Sequence, residues 1–250
     1  MSHLSIVLPV HNEEKHLPEC LATLKFADEI VIVLDKCTDR SKEIALQHGA
    51  KIIEGAWEIE GERRMLGIQA VTSPWILEID ADERVTPELA AEIKKVIATS
   101  NAAYHLVPFD NYIGQKRVRY GWGAHIGISG KLCLFRKESK TYDNDRVHPR
   151  TRFTGEKGEK LQNRIIHYMD DTLGETLKRF DNYTTRHAKD LLDKKIDEPM
   201  SRNIRRFFTR FFKCFVMRRG YREGAMGFFV AVLGGLYPLV SALKAKYRLF

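Results

Sequence analysis

Two aspartates separated by a single residue follow an apolar run near position 80. At this spacing their carboxylates could bind one metal ion together. The run covers residues 75–79, and Asp80 and Asp82 come directly after it. Residues i and i+2 of a strand point to the same side, so the two carboxylates can converge just beyond the end of that strand. Paired carboxylate oxygens suit Mg²⁺ or Mn²⁺ carrying a diphosphate. The alternative is a strand that runs into a turn, with Asp82 or Glu83 near the start of the next helix.

Strand and helix patterns alternate in the first hundred residues and would place these carboxylates at a sheet edge. Short apolar runs rich in β-branched residues predict strands at 4–9, 29–35, 51–53 and 75–80. Amphipathic segments predict helices at 12–24, 39–48, 61–71 and 87–99. This order indicates parallel βαβ units with right-handed crossovers. The predicted fold is therefore α/β, a doubly wound, mostly parallel sheet with helices on both faces.

The chain beyond residue 100 is less regular. Further strands are predicted at 102–107 and 131–136, with a hairpin or loop over the site at 109–129 and an irregular stretch at 138–160. A polar helix follows at 173–195. We expect a sheet domain over residues 1–170 and a helical extension over residues 171–250.

Composition and charge limit the classes of protein. A hydrophobic content of 44% in 250 residues is enough for a substantial core. The four cysteines lack CxxC spacing, which predicts reduced thiols and no zinc site. The N-terminus shows no secretory leader pattern. Residues 201–250 contain eleven Lys and Arg but only one acid, so the net charge of +8 comes from this fifth of the chain. An anionic surface is therefore the expected partner of that end.

The segment 202–217 is amphipathic, with arginines and a lysine on one helical face and aromatic residues on the other. The apolar positions are Ile204, Phe207, Phe208, Phe211, Phe212, Phe215 and Val216. This pattern is typical of a helix lying in a membrane interface, and packing on the protein's own core is the alternative. Nucleic acid is not expected, because recognition motifs are missing. Residues 225–243 carry no charge, but their glycines and Pro238 favour a helix or bent helix pair lying in the inner leaflet. A true span and packing within a soluble protein are the alternatives.

Other strand ends carry polar side chains suited to a nucleotide. The turn after the first strand, residues 9–13, lacks the glycines of a dinucleotide site, so NAD and FAD are not expected. Its polar and ring side chains could hold a base and ribose, or Asn12 could simply cap a helix. Asp35 could accept hydrogen bonds from the base or ribose. Arg63 or Arg64 could reach a phosphate, the alternative being a solvated helix face.

Together these residues resemble a family 2 glycosyltransferase of the GT-A fold. The resemblance is carried by residues 6–13 (IVLPVHNE), by Asp35 within residues 33–39 (VLDKCTD), and by Asp80-Ala81-Asp82 as a DxD motif. The whole chain is similar to bacterial lipopolysaccharide core glycosyltransferases that add glucose to the inner core, which share basic, aromatic C-terminal helices.

This resemblance implies an inverting, metal-dependent transfer of a hexose, most simply glucose. The donor would be a UDP-sugar and the acceptor a lipid-linked saccharide at the cytoplasmic face of the bacterial inner membrane. The metal would be Mg²⁺ or Mn²⁺, acting as Lewis acid and template. Implied site residues are Pro9, His11 and Glu13 around uridine, Asp35 at the uracil, Arg64 at a phosphate, Asp80 at the ribose or metal, and Asp82 at the metal.

The chain departs from the family pattern in two places, of which the first concerns one helix contact and the second leaves the general base open. Met65 replaces a frequent asparagine, and Val147-His148-Pro149 lacks the glutamate that related core transferases tend to carry there. An inverting displacement needs a base for the acceptor hydroxyl. The candidates for that base are Asp143, Asp145 and Asp110.

Further residues in the same loops could bind metal or phosphate. His148 could be a metal or phosphate ligand, or it could pack against Pro149 in a turn. The basic residues that could hold phosphates are Lys131, Arg146, Arg150 and Arg152.

Two other functions are kept open. A sugar nucleotidyltransferase also joins a sheet to a metal and a nucleotide, but such enzymes usually have a Gly-rich, basic loop after the first strand. A catalytically inactive, membrane-associated protein that binds nucleotide sugars is the second alternative.

Overall fold

The computed structural model of the chain describes residues 3–123, 127–143 and 151–249. Its strands are β1 Leu4–Val10, β2 Glu29–Asp35, β3 Lys51–Gly55, β4 Trp75–Glu78, β5 Glu83–Val85, β6 Tyr104–Ile113, β7 Lys116–Val118, β8 Gly130–Arg136, β9 Lys140–Tyr142, β10 Thr151–Phe153 and β11 Ile165–Asp170. Its α-helices are α1 Leu17–Ala22, α2 Ser41–Gln47, α3 Glu60–Ala70, α4 Pro87–Thr99, α5 Leu173–Asp193, α6 Met200–Phe212 and α7 Ala225–Tyr247.

The described residues form two compact units. The first contains residues of 1–109 and 130–167, and the second contains residues of 110–129 and 168–250. The second unit thus includes a segment from the middle of the chain. The division at residue 170 that the sequence indicates stays a prediction.

A mixed sheet forms the centre of the first unit, in the order β3-β2-β1-β4-β8-β6-β11-β5. Strands β3, β2, β1 and β4 are parallel neighbours, as the alternation of strands and helices predicts. Strand β8 is antiparallel to both β4 and β6, and β11 is antiparallel to β5. The parallel strands make the doubly wound half of the sheet, and the antiparallel strands extend it on one side.

Alternate residues of the parallel strands enter two separate cores, which is why helices cover both faces. In β1, Leu4, Ile6, Leu8 and Val10 join the larger cluster, together with apolar residues of α1, α2 and α4. Val7 points to the other face and packs with residues of α3. The period-2 alternation of a strand sends successive side chains to opposite faces.

Helix α3 approaches the sheet closely because of a glycine. A Cβ atom on Gly67 would lie 2.6 Å from Cγ1 of Val7 and 3.0 Å from Cγ2 of Val33. Real Cβ atoms essentially never come within 3.0 Å of a neighbour. Position 67 therefore needs a residue without a side chain.

Several elements differ from the sequence-based expectation. The first helix begins at Leu17 instead of Asn12, because Asn12 has φ of +54° and its Oδ1 accepts a hydrogen bond from the Thr38 N–H at 2.7 Å. A left-handed residue does not continue a right-handed helix. Strands β5, β9, β10 and β11 were not expected. Strand β5 pairs with β11, which is distant in sequence, and β9 pairs with β10, so each depends on its partner strand.

In the second unit, α7 packs against α5 and α6. Within the described residues, α7 is the one helix long and apolar enough to cross a bilayer, and 56% of its most apolar stretch is buried inside the protein. A core helix of a soluble protein has the same two properties. Length and composition therefore leave open whether α7 spans the bilayer, packs within a soluble protein, or lies in the inner leaflet as the sequence predicts.

Candidate active site

The C-terminal ends of β1, β2 and β4 meet at one edge of the sheet, because these strands are parallel neighbours. Ligands of open α/β sheets bind at this edge. Nδ1 of His11, just after β1, lies 2.6 Å from the backbone oxygen of Asp35, at the end of β2. Burial, followed by the charges of Asp82 and Asp80, raises the pKa of Glu13 to about 7. The structure thus brings together residues predicted from three separate strand ends.

Asp35 lies on the side of the site predicted to hold the nucleoside. Its carboxylate accepts hydrogen bonds from the Trp57 backbone N–H at 3.0 Å and from Arg63 at 3.1 Å. A carboxylate has about four lone-pair positions, so Asp35 can still accept a bond from a base. Pro9 is buried within β1, whereas His11 is exposed. Their contacts with uridine stay predictions.

Asp80 is held between two cations. Its carboxylate lies 2.8 Å from Nζ of Lys131 and 3.5 Å from the guanidinium of Arg64. Burial would raise the pKa of Asp80, but the charges of Lys131 and Arg64 outweigh it and hold the pKa well below its usual range. The side chain of Arg64 is only 14% exposed, so it does not lie on a solvated helix face. Two fixed cations at this edge suit an anionic diphosphate.

Asp82, Glu83 and His167 form a second group beside this ion-pair cluster. Their ligand atoms all lie within 4.8 Å of one another, and Nε2 of His167 is 3.3 Å from Oδ2 of Asp82. No other trio of His, Cys, Asp or Glu in the described ranges has this geometry. Two carboxylates and an imidazole fit Mn²⁺ and accommodate Mg²⁺, so the residues suit the metal that the resemblance implies.

Protonation of this group competes with the binding of a cation. Burial, opposed by the charge of Lys131, raises the pKa of Glu83 to about 7. Burial lowers the pKa of His167, but its hydrogen bond and ion pair with Asp82 outweigh this and leave the pKa raised. A divalent cation would replace these protons, because metal ligands must be deprotonated.

The group differs from the ligand set expected from sequence, which was Asp80, Asp82 and His148. His148 lies outside the described residues, and Asp80 is not a member of the group. Glu83 directly follows the DxD motif and could have been noticed there. His167 gave no local signal, because only the pairing of β5 with β11 brings it opposite Glu83.

The candidates for the general base are only partly described. Asp143 follows β9, and its Oδ1 lies 2.7 Å from Nε of Arg152. Asp110 belongs to the second unit and accepts two hydrogen bonds from Arg119, at 2.8 and 2.7 Å. Asp145 lies outside the described residues, as do Arg146 and Arg150. The base therefore stays unassigned.

A comparison with protein families decides the class of the chain. Residues 5–154, more than half of its length, match the model of Glycosyl transferase family 2. The chain belongs to this family. The family resemblance is thereby confirmed, and so is the expectation of a transferase.

Relatives of this glycosyltransferase match nearly its whole length. It is 25% identical to a glycosyltransferase of Rickettsia typhi, over 98% of this chain and 87% of that one. It is 24% identical to the lipopolysaccharide core biosynthesis glycosyltransferase LpsC of Rhizobium meliloti, over 98% of this chain and 92% of that one. The crystal structure of S. aureus TarS residues 1–349 superposes with a TM-score of 0.51 at 14% identity, covering 98% of this chain and 87% of that one. This last likeness concerns the fold alone, and the GT-A fold class is confirmed.

Proposed function

We propose that the protein transfers a hexose, most simply glucose, from a UDP-sugar to a lipid-linked saccharide such as lipopolysaccharide core, with inversion. Family membership and the similarity to LpsC support sugar transfer in lipopolysaccharide biosynthesis. The observation that carries the proposal is the group Asp82, Glu83 and His167 beside the cations Lys131 and Arg64. This arrangement suits the diphosphate of a nucleotide sugar.

The donor would lie along the edge of the parallel strands. The nucleoside would contact His11, Glu13 and Asp35, and its diphosphate would face Lys131 and Arg64. Asp82, with Glu83 and His167, would hold Mg²⁺ or Mn²⁺, which neutralises charge on the departing diphosphate when bound. The membership of Asp80 in the metal site stays a prediction.

Two cations that are already in place would help the same step. Lys131 and Arg64 keep their positions through Asp80, so they need no rearrangement as negative charge develops on the leaving group. Preorganised charges of this kind are usually the largest contribution to catalysis. The acceptor hydroxyl must also lose its proton, and we propose Asp143 or Asp145, from the loop after β9, for that role.

The second unit supports action at a membrane surface. Ile204, Phe208, Phe212 and Val216 form an exposed stripe along α6 and the π-helical segment Lys213–Met217 that follows it, here called the α6 stripe. Between 42% and 63% of each residue is exposed. The helix therefore does not bury this face against its own core. Exposed basic side chains lie nearby in sequence, namely Arg202, Arg205, Lys213, Arg218, Arg219 and Arg222. An apolar stripe flanked by cations fits an anionic bilayer, and we propose the cytoplasmic face of the inner membrane.

A panel of nucleotide sugars, with Mn²⁺ or with EDTA, tests the transfer proposal. We expect the protein to release UDP from UDP-glucose in Mn²⁺ and much less in EDTA. Asp82→Asn should lower the rate by about 100-fold or more, because it removes a charged metal ligand. The control is Asp170→Asn, a buried carboxylate in the second unit that is paired with Arg179 at 2.7 Å.

Each alternative predicts a different result. A nucleotidyltransferase would release pyrophosphate from UTP and a sugar 1-phosphate, and an inactive binding protein would bind UDP-glucose without releasing UDP. Turnover that is unchanged by both EDTA and Asp82→Asn would contradict the proposed site.

A further inference from the structure

Glu78 is a carboxylate buried in the core of the first unit. It is the last residue of β4, two positions before Asp80, and 1% of its side chain is exposed. Burying a charge costs several kcal/mol unless partners compensate, and carboxylates are almost never fully buried unless paired. In the sequence, Glu78 is simply one residue of a predicted strand, and no pattern there assigns it a role.

Three side chains from two other elements hold Glu78. From β9, Nζ of Lys140 lies 2.6 Å from Oε2, and the hydroxyl of Tyr142 donates to Oε1 at 2.7 Å. From α3, the guanidinium of Arg64 forms a short ion pair with Oε1. Burial would raise the pKa of Glu78, but Lys140 and Arg64 outweigh it and hold the pKa well below its usual range. The ionised carboxylate of Glu78 therefore links β4 to both α3 and β9.

Arg64 links Glu78 to the proposed diphosphate site. The same nitrogen, Nη1, contacts both Glu78 and Asp80, and Nε donates to Glu60 at 2.9 Å. Asp80 in turn contacts Lys131. Glu78 thus holds the same guanidinium nitrogen of Arg64 that contacts Asp80.

Among the described residues, Glu78 is the one carboxylate that Arg64 and Lys140 share. Arg64 also pairs with Glu60 and Asp80, and Lys131 pairs with Asp80. Without Glu78, Arg64 and Lys140 would share no anion and would repel each other. Arg64 would then be expected to turn further toward Asp80 or toward Glu60, because each offers it a carboxylate.

We propose that Glu78 is a positioning residue for the transfer reaction, which keeps Arg64 directed at the diphosphate and ties β9, with the Asp143 that follows it, to the end of β4. The inference rests on the proposed function, because it assumes that Arg64 faces the donor. Glu78 itself is not expected to touch the donor, since its carboxylate is enclosed by protein groups.

The test compares Glu78→Gln with Asp170→Asn, which also neutralises a buried carboxylate paired with an arginine, but in the second unit. We expect Glu78→Gln to weaken UDP binding and to lower kcat/KM for UDP-glucose by about 10-fold or more. We expect Asp170→Asn to leave both within about twofold of the wild type, while the melting temperature falls in both variants. Equal donor constants in the two variants would mean that Glu78 only stabilises the fold.

A double-mutant cycle separates positioning from general weakening. If Glu78 acts through Arg64, Glu78→Gln should cause little further loss of UDP affinity or kcat/KM in an Arg64→Ala background, because the side chain that Glu78 orients is already absent. Full additivity of the two losses would overturn the inference. UDP affinity measured by calorimetry in EDTA gives a second readout that does not depend on metal or on turnover.

A milder variant covers the case in which Glu78→Gln does not fold. Tyr142→Phe removes one hydrogen bond to Glu78 and keeps every charge, so we expect a loss of UDP affinity of about threefold. Unchanged affinity in Tyr142→Phe, with Glu78→Gln unfolded, would count against the positioning role. A wild-type protein that binds no UDP would instead contradict the proposed function itself.

Discussion

Removal of the aromatic residues from the α6 stripe should release the protein from anionic membranes. The proposed perturbation is Phe208→Ser together with Phe212→Ser. Phe208 and Phe212 are 63% and 54% exposed, so they contribute little to the stability of the folded protein. The double variant should therefore fold normally, and any change in membrane binding can be read directly.

The size of the effect follows from the exposed area. A phenylalanine side chain has about 200 Å² of surface, so the two exposed fractions correspond to about 125 and about 110 Å². At about 25 cal/mol per Å², complete insertion of this area would contribute about 6 kcal/mol. An interfacial helix buries its apolar face only partly, and half of that area gives about 3 kcal/mol, or about 100-fold in partitioning.

The assay is co-sedimentation with vesicles of phosphatidylethanolamine, with and without phosphatidylglycerol. The wild type should bind the anionic vesicles and bind the neutral ones much more weakly, because the basic residues near the α6 stripe are attracted electrostatically to anionic headgroups. The control is Leu46→Ser on α2, which is 59% exposed in the first unit. If the double variant binds as tightly as the wild type, or if Leu46→Ser loses as much binding, the stripe is not the membrane contact.

Three further predictions concern stability and the metal. Gly67→Ala should lower the free energy of unfolding by about 2 kcal/mol, because the new Cβ would overlap Val7, and chemical denaturation measures this. Thr86→Ala should cost about 1 kcal/mol in the same assay, because the Thr86 hydroxyl accepts the Leu89 N–H at 3.2 Å and caps α4. If either variant is as stable as the wild type, the corresponding contact does not contribute to stability as proposed. His167→Ala should weaken Mn²⁺ binding by about 10-fold or more in calorimetry or electron paramagnetic resonance, and unchanged affinity would exclude His167 as a ligand.

Much of the fold could be predicted from the sequence, because strands and helices are indicated by patterns of residues that are close together along the chain. Apolar strands of four to seven residues alternate with amphipathic helices, and this alternation by itself indicates a parallel, doubly wound sheet. The first helix is an exception, because it begins at Leu17 and not at the predicted Asn12. Its predicted start at Asn12 depended on side-chain preference, whereas the left-handed backbone at Asn12 is held by a contact with Thr38.

The amphipathic pattern of residues 202–217 also predicted a helix but could not say which aromatic rings would be covered. Phe207, Phe211 and Phe215 are partly buried, whereas Phe208 and Phe212 are exposed. A helical face of about seven apolar residues is wider than the contact that a neighbouring helix can cover. The arrangement of α6 and α7 decides which part stays exposed.

The sequence by itself determined the family, the doubly wound half of the sheet, and the acidic motif at Asp80 and Asp82, because each depends on residues close together along the chain. Only the tertiary structure decided what those carboxylates contact. His167 reaches Asp82 through the pairing of two short strands, and Lys131 reaches Asp80 from the start of β8. Contacts between residues far apart in sequence depend on strand register and helix packing, and no local pattern of residues specifies either.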